Sequence, residues 1–457
     1  MISNISKASK QKFVINFLFS LLCFSFMAGN LIININIILI LVLGFTFYKF
    51  EVFKIEYNFF EKIIIFFFLY ILINGILNNL FYKQINLYND YTVLFKSFFY
   101  LRFLLLYFLI NYLIKKDILN FKAFFFSAFI SVTFVCLDII YQFFFGQDIF
   151  GFIAVERRLS GPFGDELIAG SFIFRFGIFS FFLYPFFLKI KNKNISNFFI
   201  ICLFVLMFIS LILAGNRTPL VLFLITLLMI TLFEKNLRKF FFFFTISVIL
   251  ISITTYKFHP NFKFHIGSYK TKIESFFNVL SEENILSEDE LESEYRYENK
   301  DNMFYTIEYK GNFYKMNNTY IKEFKTGYLT WKENVFFGGG IKSFIINCSK
   351  AKIPNCVNHP HNYYLEILSE LGLLGFFIIS LIFILIFLKF IIKKLSNNLS
   401  NNENYIISPF FFLFLMEVFP LKNTGSFFST QNSTYLFLIL PVLVGLMKKQ
   451  YLIEKKT

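Results

Sequence analysis

The most chemically loaded stretch of the chain is His359-Pro360-His361-Asn362, followed by Glu366, Glu370, Gly372 and Gly375, where a long hydrophilic segment runs into an apolar one. Two of the four histidines sit there, just ahead of a predicted helix. The macrodipole at a helix N-terminus disfavours imidazolium and leaves a neutral ring that accepts a proton. His361 is therefore a candidate general base. Asn362 is suited to cap the helix, and Glu366 and Glu370 share one helix face that should point inward rather than at lipid. Gly372 and Gly375 would let a neighbouring helix pack closely. Capping with surface histidines would explain Asn362 and the glycines, but not two histidines followed by two acids at membrane depth.

Three further segments carry charge or glycine where apolar runs end. Glu156 to Glu166 holds Arg157 and Arg158, Gly161 and Gly164, and the acids Asp165 and Glu166. Glycines let backbone approach a ligand and guanidinium forks pair with phosphate, so Arg157 and Arg158 are candidate phosphate-binding groups. The alternative is a re-entry turn whose arginines pair with Asp165 and Glu166. Gly215-Asn216-Arg217-Thr218-Pro219 is a tight connection that pins one Arg, with Pro219 placed to start the next helix. Arg217 reads as a fixed phosphate-binding cation, against the alternative of snorkelling to lipid phosphates. Gly338-Gly339-Gly340, after Trp331 and Phe336-Phe337, reads alone as no more than a turn.

These segments must be held by a membrane protein. Of 457 residues 57% are hydrophobic and only 16% charged, well below the roughly 25% of soluble domains. The 75 phenylalanines look like compositional drift rather than a functional signal. Apolar runs near 13–28, 31–48, 63–80, 91–114, 121–145, 167–188, 198–214, 218–233, 240–256, 363–388, 406–421 and 434–447 predict about twelve transmembrane helices. The net charge of +15 would suggest a nucleic-acid partner in a soluble protein, but the basic residues sit at span ends. Lys7, Lys10 and Lys12, then Lys115, Lys116 and Lys122, then Lys389, Lys393 and Lys394 fall on one side, whereas the short loops of the other hold only Lys83, Arg157, Arg158, Arg217 and Lys422. The positive-inside rule then places both termini in the cytoplasm and predicts no nucleic-acid partner. No small-residue cleavage site follows the first apolar run, which is expected to be a span rather than a removed leader.

The expected organisation is residues 1–256 as spans one to nine, 257–362 as one large outer loop domain, and 363–457 as spans ten to twelve with a cytoplasmic tail. Within the loop, Glu282 to Asp301 is acid-rich and reads as a solvated insertion. Cys348 and Cys356 lie eight apart and are expected to close a disulfide. Metal binding with His359 and His361 is the rival, although the spacing lacks the tight pairs of structural zinc sites. Lys96, Arg102, Asp138, Arg175 and Glu417 fall inside apolar runs and should pair or line a groove.

With these residues in view, the sequence resembles the O-antigen ligase family, which shares its motifs with O-antigen polymerases and some protein O-oligosaccharyltransferases. The family's signature of His, then Asn, Ser or Gln, nine residues and G-x-x-G is met by His361-Asn362, residues 363–371 and Gly372-Leu373-Leu374-Gly375. Arg158-Leu159-Ser160-Gly161 with Phe163-Gly164 looks like its R-x-x-G-x-F-G loop, Arg217 like the Arg of its small-x-R turn, and Phe337-Gly338-Gly339-Gly340 like its glycine element. The chain departs in having Asp165-Glu166 where many members have Pro-Asn, no Pro before Gly338, and Lys325-Thr326-Gly327 where an Arg is often found.

The resemblance implies an all-α, GT-C-like integral membrane glycosyltransferase of the bacterial inner membrane, with its large periplasmic loop between spans nine and ten. It implies an undecaprenyl-diphosphate-linked glycan as donor and lipid A–core or another glycan as acceptor, in lipopolysaccharide biosynthesis. Transfer needs a deprotonated hydroxyl and a neutralised diphosphate. His361 is then the base, with Asp165 and Glu166 as fallback, and Arg217, Arg158 and Arg157 hold the diphosphate; Asn362, Glu366 and Glu370 support. No metal or cofactor is expected. A ligase is preferred over a polymerase or a protein O-oligosaccharyltransferase, and over a transporter, whose unusual residues would lie near the midplane rather than at one face.

Overall fold

The computed structural model describes residues 7–84, 91–153, 158–183, 193–234, 285–286, 305–309, 312–316, 319–353, 356–395, 401–420, 422 and 425–454, with residues 238, 242, 246, 249, 250, 253 and 257. Arg157 and most of the expected ninth span lie outside the described residues.

The chain opens with α1 (Lys7–Ala28) and α2 (Asn30–Tyr48), which turn about Gly29 at φ 99°. There follow α3 (Phe59–Gln84), α4 (Thr92–Tyr100) and α5 (Arg102–Lys115), which run on as one apolar segment, and α6 (Phe121–Phe145). Asn120 starts α6 by accepting from the Ala123 amide at 3.3 Å, and Gly146 ends it in the left-handed region. Next come α7 (Ala169–Leu183), α8 (Lys193–Leu213) and α9 (Arg217–Phe233). Later in the chain come α10 (Thr319–Lys332) and α11 (Phe344–Lys350), within the 257–362 segment, and then α12 (Tyr363–Leu395), α13 (Asn401–Glu417) and α14 (Thr430–Glu454).

Seven of the helical segments are long and apolar enough to cross a membrane, and four more are apolar but shorter: Ala169–Leu183, Phe198–Leu213, Arg217–Phe233 and Ile406–Glu417. They coincide with the apolar runs expected from the sequence, apart from the one at 240–256. The chain is a multi-pass membrane protein. Large apolar side chains such as Leu77, Leu137, Phe377 and Ile384 are exposed along these helices, a surface that lipid rather than water would solvate. The 257–362 segment adds what an all-helical expectation did not contain: a three-stranded antiparallel sheet in the order β1 (Ile285–Leu286), β3 (Asn312–Met316), β2 (Tyr305–Tyr309).

Phenylalanine fills the interior. Phe124 and Phe125 of α6, Phe179 of α7 and Phe410 of α13 pack ring against ring with centroids 4.8–6.3 Å apart, and Tyr100, Phe103 and Phe437 bring α4, α5 and α14 together in the same way. Aromatic pairs in such tilted and edge-on geometries add about 0.5–1.5 kcal/mol each beyond the area they bury. Helices tied laterally in this way form a rigid frame for the loops at their ends.

Candidate active site

The helix that carries the signature is broken. Gly372 interrupts α12 with φ 66° and ψ −171°, values closed to other residues without strain. The backbone groups freed by the break are taken up by the glycine turn. Gly339 and Gly340 amides donate to the Ser369 and Glu370 carbonyls at 3.2 and 2.8 Å, while the Leu373 and Leu374 amides donate to the Val335 and Phe336 carbonyls at 2.9 and 3.2 Å. Tyr70 of α3 donates to the Leu371 carbonyl at 2.6 Å, and Asn74 to that of Phe337 at 2.5 Å. The two glycine elements, 32 residues or more apart in sequence, are thus one interlock, and α3 clamps it.

Glu366 and Glu370 are buried, as an inward face requires, and both hold loops. Glu370 accepts the Lys342 and Phe344 amides at 2.6 and 3.3 Å, and Glu366 accepts the Ser426 hydroxyl and the Phe427 amide, each at 2.5 Å. Ser426 in turn accepts from Lys342 Nζ at 2.5 Å. Two carboxylates one turn apart therefore fasten the glycine turn and the loop before α14 to the N-terminal end of α12.

At that end Asn362 caps the helix, its Oδ1 accepting from the Tyr364 and Leu365 amides at 3.0 and 3.2 Å and its Nδ2 donating to the Pro420 carbonyl at 2.8 Å. His361, one residue earlier, sits at φ 51°, a strained position for a side chain with a Cβ. Its ring lies 4.2 Å from that of His359, and its Nε2 is 3.6 Å from Oε1 of Glu323 on α10. Burial, and then the neighbouring His361 and Lys342, lower the pKa of His359 to about 4, so its ring is neutral at physiological pH. Cys348 and Cys356 are joined in a disulfide with Cα atoms 5.8 Å apart, which ties α11 to the segment leading into His359.

A buried ion cluster lies behind the signature. Arg175 of α7 makes two bonds to Glu417, at 3.1 and 2.6 Å, and one to Asn432 at 2.7 Å. Glu417 also receives Lys422 at 2.8 Å and the Tyr363 hydroxyl at 2.7 Å. Of the other intramembrane charges, Arg102 lies over the Phe103 ring and Asp138 accepts the Ile149 amide at 2.9 Å. Lys96 is exposed on α4.

The arginine loop and the Arg217 turn are neighbours. The Leu159 amide donates to the Leu213 carbonyl at 3.4 Å, and Asn216 donates to that of Leu167 at 2.7 Å. Arg158, Asp165 and Glu166 are exposed, and among the described residues no ion pair joins Arg158 to either acid. Arg175 of α7, the helix that follows the arginine loop, is joined to Tyr363 of the signature helix through Glu417. Glu323, Lys342, Tyr70 and Asn74 join the site although sequence reading did not single them out, and only the histidines' need of a charged neighbour could have pointed to Glu323. Among the described residues no cluster of three or more His, Cys, Asp or Glu could hold a metal ion.

A polytopic helical frame carries the histidines at the start of a broken signature helix and the arginines on loops at other helix ends. Residues 202–380 match the family model described as O-antigen ligase, which likens that stretch of the chain to the family. The match takes in Arg217, the glycine turn, His361 and both signature glycines, and stops short of the Arg158 loop. No curated protein matches the chain.

Proposed function

We propose that the chain is an O-antigen ligase that moves a glycan from undecaprenyl diphosphate to lipid A–core at the periplasmic face of a bacterial inner membrane, with both termini cytoplasmic. The observation that carries this reading is His361 itself: a strained, partly exposed imidazole set by Asn362 and the Gly372 interlock, inside the stretch that matches the family.

In the proposed reaction the acceptor hydroxyl gives its proton to His361 while its oxygen attacks the anomeric carbon of the donor glycan. The bond from that carbon to the diphosphate oxygen breaks, and the electron pair leaves on the diphosphate. Arg217, with Arg158 and Arg157, takes up the charge that develops there, and the reading requires neither a metal nor a cofactor. Asn362, Glu366 and Glu370 hold the loops, a supporting role that their hydrogen bonds favour over proton transfer.

The test is a strain without the gene. Bare lipid A–core with full-length polymer stranded on the carrier is the expected result. Core bearing a single repeat would instead assign a polymerase, and an unchanged lipopolysaccharide ladder would overturn both.

A further inference from the structure

We propose that Glu323 is the positioning residue for His361: its carboxylate holds the Nε2 proton, leaves Nδ1 as the atom that accepts the hydroxyl proton, and stabilises the imidazolium formed during transfer. This rests on His361 being the base. The geometry is specific. Glu323 stands on α10, 38 residues from His361 in sequence, with Oε1 3.6 Å from Nε2; its side chain is 13% exposed and that of His361 33%. A carboxylate so shielded acts on a neighbouring ring far more strongly than one in open water.

The approach of α10 is built in. A Cβ on Gly327, one turn after Glu323, would fall 2.7 Å from the Pro360 side chain, so only glycine lets the helix lie this close to His359-Pro360-His361. The neighbouring charged and titratable groups have engagements of their own. His359 is held neutral by burial, Lys342 of the glycine turn is a cation bonded to Ser426, and Lys422, in the loop that Asn362 touches, is paired with Glu417. Glu323 sets its carboxylate against His361, and the arrangement of base and orienting acid is the general one for hydroxyl activation.

During the step the proton passes from the acceptor hydroxyl to Nδ1, and the Nε2 proton stays between ring and carboxylate. The positive ring and the negative carboxylate then form an ion pair that exists only after proton transfer. Glu323 therefore contributes to the rate rather than to donor binding.

The experiment measures kcat/KM against pH for the full-length protein in detergent, using a polyprenyl-diphosphate-linked glycan as donor and lipid A–core as acceptor. Glu323→Gln should lower kcat at least about tenfold with KM for the donor little changed, and should move the acid limb of the profile about one unit toward lower pH. Glu323→Asp should restore part of the rate and part of the limb. A Glu323→Gln profile whose acid limb stays at the wild-type pH overturns the proposal, as does an Asp variant no better than Gln. His361→Ala separates the two readings: if it is inactive while the Glu323→Gln limb stays put, His361 remains the base and only the role of Glu323 falls. If His361→Ala keeps full activity, both fall.

Discussion

Gly338 and Gly372 face each other's backbone across the interlock: a Cβ on Gly338 would lie 2.4 Å from the carbonyl carbon of Glu370, and one on Gly372 would lie 2.3 Å from the carbonyl oxygen of Phe336. Each glycine also has positive φ, so each is required twice, by conformation and by space. A signature glycine and a glycine of the Gly338-Gly339-Gly340 turn are therefore halves of one joint. Neither can change without displacing the backbone that holds the other.

Either glycine replaced by alanine should destabilise the protein by at least the roughly 1–3 kcal/mol that a strained backbone costs, because the contacts are with backbone and no side chain can swing aside. Thermal unfolding in detergent should show a clear fall in midpoint for Gly338→Ala and Gly372→Ala. Gly146→Ala, where a Cβ meets nothing within 4 Å but φ is still positive, should cost less.

The Arg175–Glu417 pair is buried and shared with Asn432, Tyr363 and Lys422. Glu417→Gln leaves two buried cations without their carboxylate, and breaking such a pair costs about 3–5 kcal/mol. Lys422 should then lose its proton readily, since burial and Arg175 already bring its pKa down to about 8 against the pull of Glu417. Removing Arg175 and Glu417 together, as Arg175→Met with Glu417→Leu, should cost less than Glu417→Gln alone. A double-mutant cycle on thermal midpoints checks this.

His359 gives a pH signature. Its folded-state pKa of about 4 lies below the ordinary 6.5, so the unfolded chain binds this proton more readily than the folded one. Stability from this residue is present above pH 6.5 and is lost as pH falls from about 6.5 to 4. Melting curves across that range should fall more steeply for the wild type than for His359→Leu, which lacks the titrating ring.

Reduction should loosen the approach to the site. The Cys348–Cys356 disulfide closes a short loop, and small loops of this kind are worth about 2–3 kcal/mol. Cys348→Ser with Cys356→Ser should lower the thermal midpoint and abolish its sensitivity to reductant, which amide hydrogen exchange would place in α11 and the segment before His359.

Much of the frame was legible because span-length apolar runs and the signature spacing are local in sequence. Asn362 as a cap and the inward burial of Glu366 and Glu370 followed from helix periodicity alone. The rest depended on contacts that no local pattern encodes. Arg175 and Glu417 are 242 residues apart, Tyr70 reaches the signature helix from 301 residues away, and Gly372 looked like a helix-packing glycine rather than a break. The strands of the insert were missed because short alternating segments such as Tyr305–Tyr309 sit inside a charged, tyrosine-rich stretch whose composition reads as solvated.

The central claim is that His361 takes the acceptor's proton, and a positioned base contributes roughly 10²- to 10⁴-fold in rate. The direct measurement is glycan transfer by His361→Ala, returned to a strain lacking the gene and checked for wild-type amounts in the membrane. The account predicts that the variant inserts normally, leaves lipid A–core bare and strands polymer on the carrier. A wild-type ladder from His361→Ala would contradict it.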